Sequence, residues 1–129
     1  REARCAEPST PLVPRVREML RARGIERLYT HQAQALDRVR EGRNVLVVTG
    51  TASGKTLCYA IPLVERLLSD PRAGALMLYP TKALCQDQYK GFSANIEAAG
   101  IGDVLTGVYD GDTPSTLRPV PWPLTCGRG

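Results

Sequence analysis

The chain has 129 residues, of which 43% are hydrophobic and 23% are charged, and its formal net charge is +4. This length suffices for one small domain with its own core, and the composition is that of a globular protein rather than a disordered one. No segment is apolar for long enough to span a membrane, and no leader peptide is recognisable, so we expect no membrane partner.

The cysteines and the single histidine limit the metal chemistry that the chain could support. Cys5, Cys58, Cys85 and Cys126 lie far apart in the sequence, so a zinc knuckle is not expected. His31 alone cannot form a histidine-based triad or a multi-histidine metal site. We interpret the cysteines as reduced, structural thiols, which predicts a cytoplasmic protein.

Two amphipathic helices are predicted in the first third of the chain. The first opens at Thr10-Pro11, carries apolar residues at helical spacing and ends at Gly24. The second is capped by Thr30 and ends at Gly42. We interpret His31 as a capping or packing residue at the start of this second helix.

Gln32 follows directly and has two possible roles. A glutamine amide places a donor and an acceptor side by side, which matches the N6 and N7 edge of adenine. Glutamine is also common at helix starts. The residue by itself therefore leaves a base contact and a purely structural role open.

The most informative motif lies between an apolar run at residues 44–48 and a second apolar, helix-forming run. A buried strand, a turn of small residues and a helix N-terminus together form a cradle for phosphate, because unpaired N–H groups point at the anion. Lys55 can reach the β- and γ-phosphates of ATP, and the Thr56 hydroxyl can bind Mg²⁺. The residues predicted to bind the nucleotide here are Thr49, Gly50, Thr51, Ala52, Ser53, Gly54, Lys55 and Thr56.

The later part of the chain alternates strands and helices. Strands are predicted at residues 44–48, 73–79 and 104–109, and a helix is predicted over residues 83–97. We expect a kink or a break at Pro62, since proline lacks the N–H that the preceding turn needs. This order implies parallel crossovers and hence an α/β domain, a parallel sheet flanked by helices.

The loops at the carboxyl edge of such a sheet share one side of the molecule, where ligands bind. This arrangement predicts that the phosphate loop, Thr81-Lys82 and Asp110 lie together. Residues 119–129 contain alternating prolines, which forbid a helix and predict an unstructured tail.

The order of Gln32, the phosphate loop and Tyr79-Pro80-Thr81-Lys82 resembles the first RecA-like domain of superfamily 2 DEAD/DEAH-type helicases. Within that group the motifs are most similar to the DNA-repair helicases of the bacterial mitomycin-repair type, which carry a C-terminal zinc-binding domain. The resemblance implies that residues 1–118 are an incomplete RecA-like domain that binds ATP and Mg²⁺, with Lys55 as its catalytic residue. It also implies that Gln32 contacts adenine. Helicase loops usually carry glycine where this chain has Ala52.

The resemblance also implies contacts to a nucleic acid, with DNA favoured over RNA. Pro80, Thr81 and Lys82 resemble a motif that touches the phosphate backbone, a role for which a hydroxyl and an ammonium are suited. Asp110 and Gly111 resemble a loop near a second such motif, although Asp110 could equally be a turn residue. Gln86 and Gln88 could be contacts or helix-surface residues.

The chain departs from the family pattern after Arg118. The acidic Asp-Glu motif, the arginine finger and the second RecA-like domain that phosphoryl transfer requires are absent from the sequence. We therefore expect this polypeptide alone to bind nucleotide and to unwind nothing. The alternatives are another phosphate-loop enzyme, such as a small-molecule kinase, and a nucleic-acid-binding module without hydrolysis.

Overall fold

A computed structural model describes residues 4–50, 52–102 and 104–114. These residues contain four helices, α1 (Pro14–Ala22), α2 (Thr30–Arg40), α3 (Lys55–Ser69) and α4 (Lys82–Ala98). No helix in this part of the chain is long and apolar enough to cross a membrane. The predicted tail, residues 119–129, lies outside the described residues.

Three of the helix starts show how local chemistry sets the boundaries. α1 begins at Pro14 rather than at Thr10-Pro11 as predicted, because either proline suits a first helical turn and the chain is still extended at Val13 (ψ 148°). Thr30 is the first residue of α2 and not its cap, so that prediction was wrong. Thr81 caps α4, since its hydroxyl accepts a hydrogen bond from the Leu84 N–H at 3.2 Å.

α3 lies at the centre of the core and contacts each of the other three helices. Its apolar side chains meet those of α1 and α2, and each large side chain that is fully buried contributes about 1.5–3 kcal/mol. The largest fully buried apolar residues are Val16, Met19, Leu36, Ile61 and Val64. The helix that follows the phosphate loop is therefore fixed by packing on several sides.

A kink or a break was predicted at Pro62, and of these the break is wrong, because α3 continues through that residue to Ser69. Proline removes one helical hydrogen bond. Ile61 and Val64 on either side of it are fully buried, and this packing holds the backbone in place.

The three predicted strands are not paired in the described residues, which contain no β-ladder. Exposure nevertheless alternates residue by residue over residues 46–49, 76–79 and 104–109, as in an extended chain with one face inward. Leu46, Leu78 and Leu105 are 88%, 84% and 98% exposed, whereas the neighbouring Met77 and Val104 pack against the core. Extended segments thus lie where strands were predicted, while the predicted sheet itself is not formed among these residues.

Arg40 and Glu65 join α2 to α3 through a two-pronged ion pair. Arg40 Nη2 lies 2.6 Å from Glu65 Oε1, and Nε lies 3.0 Å from Oε2. This hydrogen bonding raises the pKa of the Arg40 guanidinium. Both side chains are largely shielded, so the pair is less screened by solvent than an ion pair at an exposed site.

Arg40→Ala is expected to lower the free energy of unfolding by about 2 kcal/mol, because Glu65 would keep a partly buried charge without its partner. Arg38→Ala is the matched control, since the Arg38–Glu41 pair on the same helix is exposed and should contribute less than about 0.5 kcal/mol. Urea unfolding of both variants measures the difference. Equal losses of unfolding free energy in the two variants would contradict a stabilising role for the Arg40–Glu65 pair.

Candidate nucleotide and nucleic-acid site

The phosphate loop turns sharply into α3 through two left-handed residues. Gly54 is the N-cap residue of α3 with φ 73°, and Ala52 has φ 58°. Glycine adopts this conformation freely, whereas alanine does so at a cost. The loop therefore has the tight geometry that the small residues predict, and Ala52 is strained within it. Thr51, also predicted to bind nucleotide, lies outside the described residues.

Lys55 is folded back over the loop. Its ammonium donates to the carbonyl oxygens of Thr49 at 3.0 Å and Gly50 at 2.5 Å, and to Ser53 Oγ at 3.3 Å. The hydroxyls of Thr49 and Ser53 are 2.6 Å apart and tie the loop to itself. A positive charge held by neutral oxygen atoms can exchange them for phosphate oxygens, with which its hydrogen bonds are stronger.

The start of α2 supports the loop from behind. Gln32 Nε2 donates to the Gly54 carbonyl at 2.9 Å, and Gln32 Oε1 accepts from the Tyr29 N–H at 2.8 Å. The residue is only 2% exposed. Gln32 is thus brought to the phosphate loop as predicted, and it holds the loop in place there. Its contact with adenine stays a prediction.

His31 has a role that the sequence did not indicate. Its Nε2 lies 2.9 Å from the Ser53 carbonyl, and its ring stacks on Tyr29 with the centroids 5.8 Å apart. His31 and Gln32, two consecutive residues of α2, therefore form hydrogen bonds with the consecutive carbonyls of Ser53 and Gly54. Twenty-two residues separate His31 from Ser53, so no local pattern could have revealed this contact.

Thr56 lies in the first turn of α3, beside an open cleft of about 780 Å³ that Lys55, Tyr59, Tyr79 and Gln88 also line. Its hydroxyl oxygen suits Mg²⁺, which prefers oxygen ligands and is usually held by one or two protein groups together with substrate phosphates. The described residues contain no cluster of three or more acidic, histidine or cysteine side chains. The donor set therefore fits a metal ion that arrives with the nucleotide.

The buried thiol of Cys58 also borders this cleft. Burial raises the pKa of that thiol, so it is protonated at neutral pH and poorly nucleophilic. This agrees with a structural role. Cys126 lies outside the described residues.

The predicted nucleic-acid residues form a second group at the start of α4. The Lys82 ammonium lies 2.5 Å from Asp112 Oδ2, and this hydrogen bond raises the pKa of Lys82. Gly111 lies beside the same side chain. Asp110 accepts from the Asp112 N–H at 2.8 Å, which is the geometry of a turn residue. Pro80, Thr81 and Lys82 are exposed at this end of α4.

Ala52→Gly is expected to raise the free energy of unfolding by about 0.5 kcal/mol. A left-handed alanine costs the folded state about 1–2 kcal/mol, and glycine removes this strain. Part of the gain is offset because glycine makes the unfolded chain more flexible. Ala94→Gly, at an exposed position within α4, is the control and should lose about 1 kcal/mol. Denaturant unfolding distinguishes the two signs. A loss for Ala52→Gly as large as the control would contradict strain at Ala52.

Comparison with known proteins assigns these features to a family. The DEAD/DEAH box helicase profile matches residues 29–119, which include α2, the phosphate loop, α3 and α4. The chain belongs to the DEAD/DEAH box helicase family. The predicted resemblance is thereby confirmed.

Individual relatives in the DEAD/DEAH box helicase family agree with this assignment. The chain is 42% identical over 118 residues to the uncharacterized ATP-dependent helicase YprA of Bacillus subtilis, covering 92% of this chain and 16% of that protein. It is 38% identical over 94 residues to the ATP-dependent helicase HRQ1 of Saccharomyces cerevisiae, covering 72% of this chain and 9% of that protein.

A solved helicase structure is similar over nearly the whole chain. The DUF1998 helicase MrfA, bound to DNA and AMPPNP, superposes with a TM-score of 0.84 at 42% identity, covering 92% of this chain and 16% of that one. The match supports the predicted repair-type branch of the DEAD/DEAH helicases. The chain spans about 16% of the length of the first of these relatives.

Proposed function

We propose that this chain binds ATP with Mg²⁺ at the phosphate loop and is the nucleotide-binding part of an ATP-dependent DNA helicase. The observation that carries the proposal is the placement of Lys55, whose ammonium spans the loop carbonyls at a strained turn into the N-terminus of α3. The relative MrfA has been solved with DNA and AMPPNP, a nucleotide of this class, which supports the same ligands here.

In this proposal the described residues hold the triphosphate by charge and by backbone donors. Lys55 leaves the carbonyls of Thr49 and Gly50 and binds the terminal phosphates. The first N–H groups of α3 have no partner within the helix and face the anion. Thr56 offers its hydroxyl oxygen to Mg²⁺, which when bound neutralises phosphate charge. Gln32 keeps Gly54 in position and contacts the adenine edge.

The proposed nucleic-acid contact lies at the start of α4. Pro80, Thr81 and Lys82 meet the phosphate backbone, together with the loop at Asp110 and Gly111. Asp112 is paired with Lys82, and both side chains are exposed. A DNA phosphate can displace this carboxylate because an exposed ion pair contributes little.

We also propose that the three unpaired segments form a parallel sheet in the working enzyme. Met77 and Val104 already pack against the helical core, while Leu46 and Leu78 face solvent. Strand pairing would satisfy their backbone groups and cover these side chains. Hydrolysis and unwinding would further require an Asp-Glu motif and a second RecA-like domain. We place the protein in the cytoplasm, where its thiols stay reduced.

Nucleotide binding and ATP hydrolysis, each measured with and without single-stranded DNA, test the proposal on this chain and on a longer chain that carries a second RecA-like domain. The proposal predicts Mg²⁺-dependent binding by both chains and DNA-stimulated hydrolysis by the longer one alone. Phosphate transfer to a metabolite would instead identify a kinase. Salt-sensitive DNA binding without hydrolysis in either chain would identify a non-catalytic binding module.

A further inference from the structure

Two hydroxyl groups of α3 converge on one oxygen atom of α4. Thr56 Oγ1 donates to Gln88 Oε1 at 3.2 Å, and Tyr59 Oη donates to the same oxygen at 2.7 Å. Within the described residues, every side-chain hydrogen bond between α3 and α4 ends on this atom. An amide oxygen has two lone pairs, so these two donors occupy it fully.

The same network extends to the segment that leads into the nucleic-acid group. The hydroxyls of Tyr59 and Tyr79 are 3.3 Å apart. Because the Tyr59 proton is directed at Gln88, the Tyr79 hydroxyl is the donor on this side, with Tyr59 Oη at 3.3 Å and Met77 Sδ at 3.5 Å as its two acceptors. The network therefore runs from Thr56 to Tyr79. Tyr79 immediately precedes Pro80, at the end of α4 that carries Lys82.

We propose that Gln88 is a positioning residue for Thr56, a proposal that rests on nucleotide binding at the phosphate loop. By accepting the hydroxyl hydrogen of Thr56, Gln88 fixes that hydrogen on the side of α4. The lone pairs of Thr56 Oγ1 are then turned away from α4 and stay available to Mg²⁺. The bond is compatible with metal binding because a hydroxyl can donate its hydrogen while its oxygen acts as a ligand.

Gln88 differs in burial from Gln86, the neighbouring glutamine of α4. Gln88 is half-buried and bonded to α3, whereas Gln86 is exposed. At 3.2 Å the Thr56 bond is longer than the Tyr59 bond at 2.7 Å, so Tyr59 anchors the amide and Thr56 is oriented by it. Tyr59 thus keeps the Gln88 oxygen in place as the acceptor for the Thr56 hydroxyl.

The test is the affinity of the whole chain for AMPPNP, measured with Mg²⁺ and with EDTA. Gln88→Met keeps the length of the side chain without its oxygen and should reduce the gain in affinity due to Mg²⁺ by about fivefold, the size expected for one neutral hydrogen bond. Affinity in EDTA should stay unchanged. Gln88→Glu should restore part of the gain, because its carboxylate accepts the bonds from Thr56 and Tyr59 but loses the Nε2 donor to Asp87 Oδ2. Gln86→Met is the matched control and should behave as wild type.

Equal loss of affinity with and without Mg²⁺ in Gln88→Met would assign Gln88 a merely structural role and overturn the inference, as would no loss at all. Circular dichroism of each variant checks folding, and Gln88→Ala provides a second variant without the oxygen. Absence of AMPPNP binding by the wild-type chain in both conditions would overturn the proposed function itself, so the two failures are distinguishable.

Discussion

Replacing Lys55 with alanine should weaken binding of Mg²⁺–ATP by about tenfold to a hundredfold, the effect of losing charge-assisted hydrogen bonds of about 1.5–3 kcal/mol. The ammonium already lies within hydrogen-bonding distance of Thr49, Gly50 and Ser53, so it is in place to meet phosphate oxygens. Isothermal titration calorimetry on this chain measures the change.

Lys90→Ala is the control for the Lys55 variant. Lys90 is exposed on α4, so Lys90→Ala removes the same charge at a position outside the phosphate loop. It should leave the affinity within about twofold of wild type, since exposed charges at a distance are screened by salt. If both lysine variants lost affinity equally, the attraction would come from net charge and the Lys55 assignment would be wrong.

Gly54→Ala should have the second large effect, on stability and on nucleotide affinity together. A Cβ at this position would lie 2.5 Å from Gln32 Nε2, and φ is 73°. Gln32 is buried and held by two hydrogen bonds, so making room breaks its bond to the Gly54 carbonyl. We expect a loss of about 2–3 kcal/mol in the free energy of unfolding, from left-handed strain and the lost hydrogen bond.

Gly91→Ala is the matched control for this glycine. Gly91 lies within α4, and a Cβ there meets nothing within 4 Å. Alanine should stabilise the helix by up to about 1 kcal/mol. The double variant Gln32→Ala with Gly54→Ala removes the steric conflict and should recover part of the loss. If Gly54→Ala alone were as stable as wild type, Gln32 would not be the support of the loop.

The helices were the most predictable part of the fold. Apolar residues at helical spacing are a local signal, and the four helices in the described part of the chain lie where helices were predicted. The exact start of α1 could not be read, because Pro11 and Pro14 are both compatible with a first turn. The continuation of α3 through Pro62 depends on tertiary packing around Ile61 and Val64, which a local rule does not contain.

The pairing of the strands and the long-range contacts of the site were the least predictable features. The apolar runs at residues 44–48, 73–79 and 104–109 predicted strands, but pairing depends on a neighbouring strand elsewhere in the chain. The small residues predicted the tight turn before α3, and the family resemblance implied that Gln32 lies near it. The bonds from His31 to Ser53 and from Lys82 to Asp112 span 22 and 30 residues, so only the folded chain reveals them.

Amide hydrogen exchange with and without Mg²⁺–AMPPNP tests binding of a triphosphate at the loop most directly. The structure and its relatives lead us to expect slower exchange, by about tenfold or more, at the amides of residues 50–57, where phosphate oxygens would accept their hydrogens. Exchange at these amides that is unchanged by saturating nucleotide would contradict the proposed site.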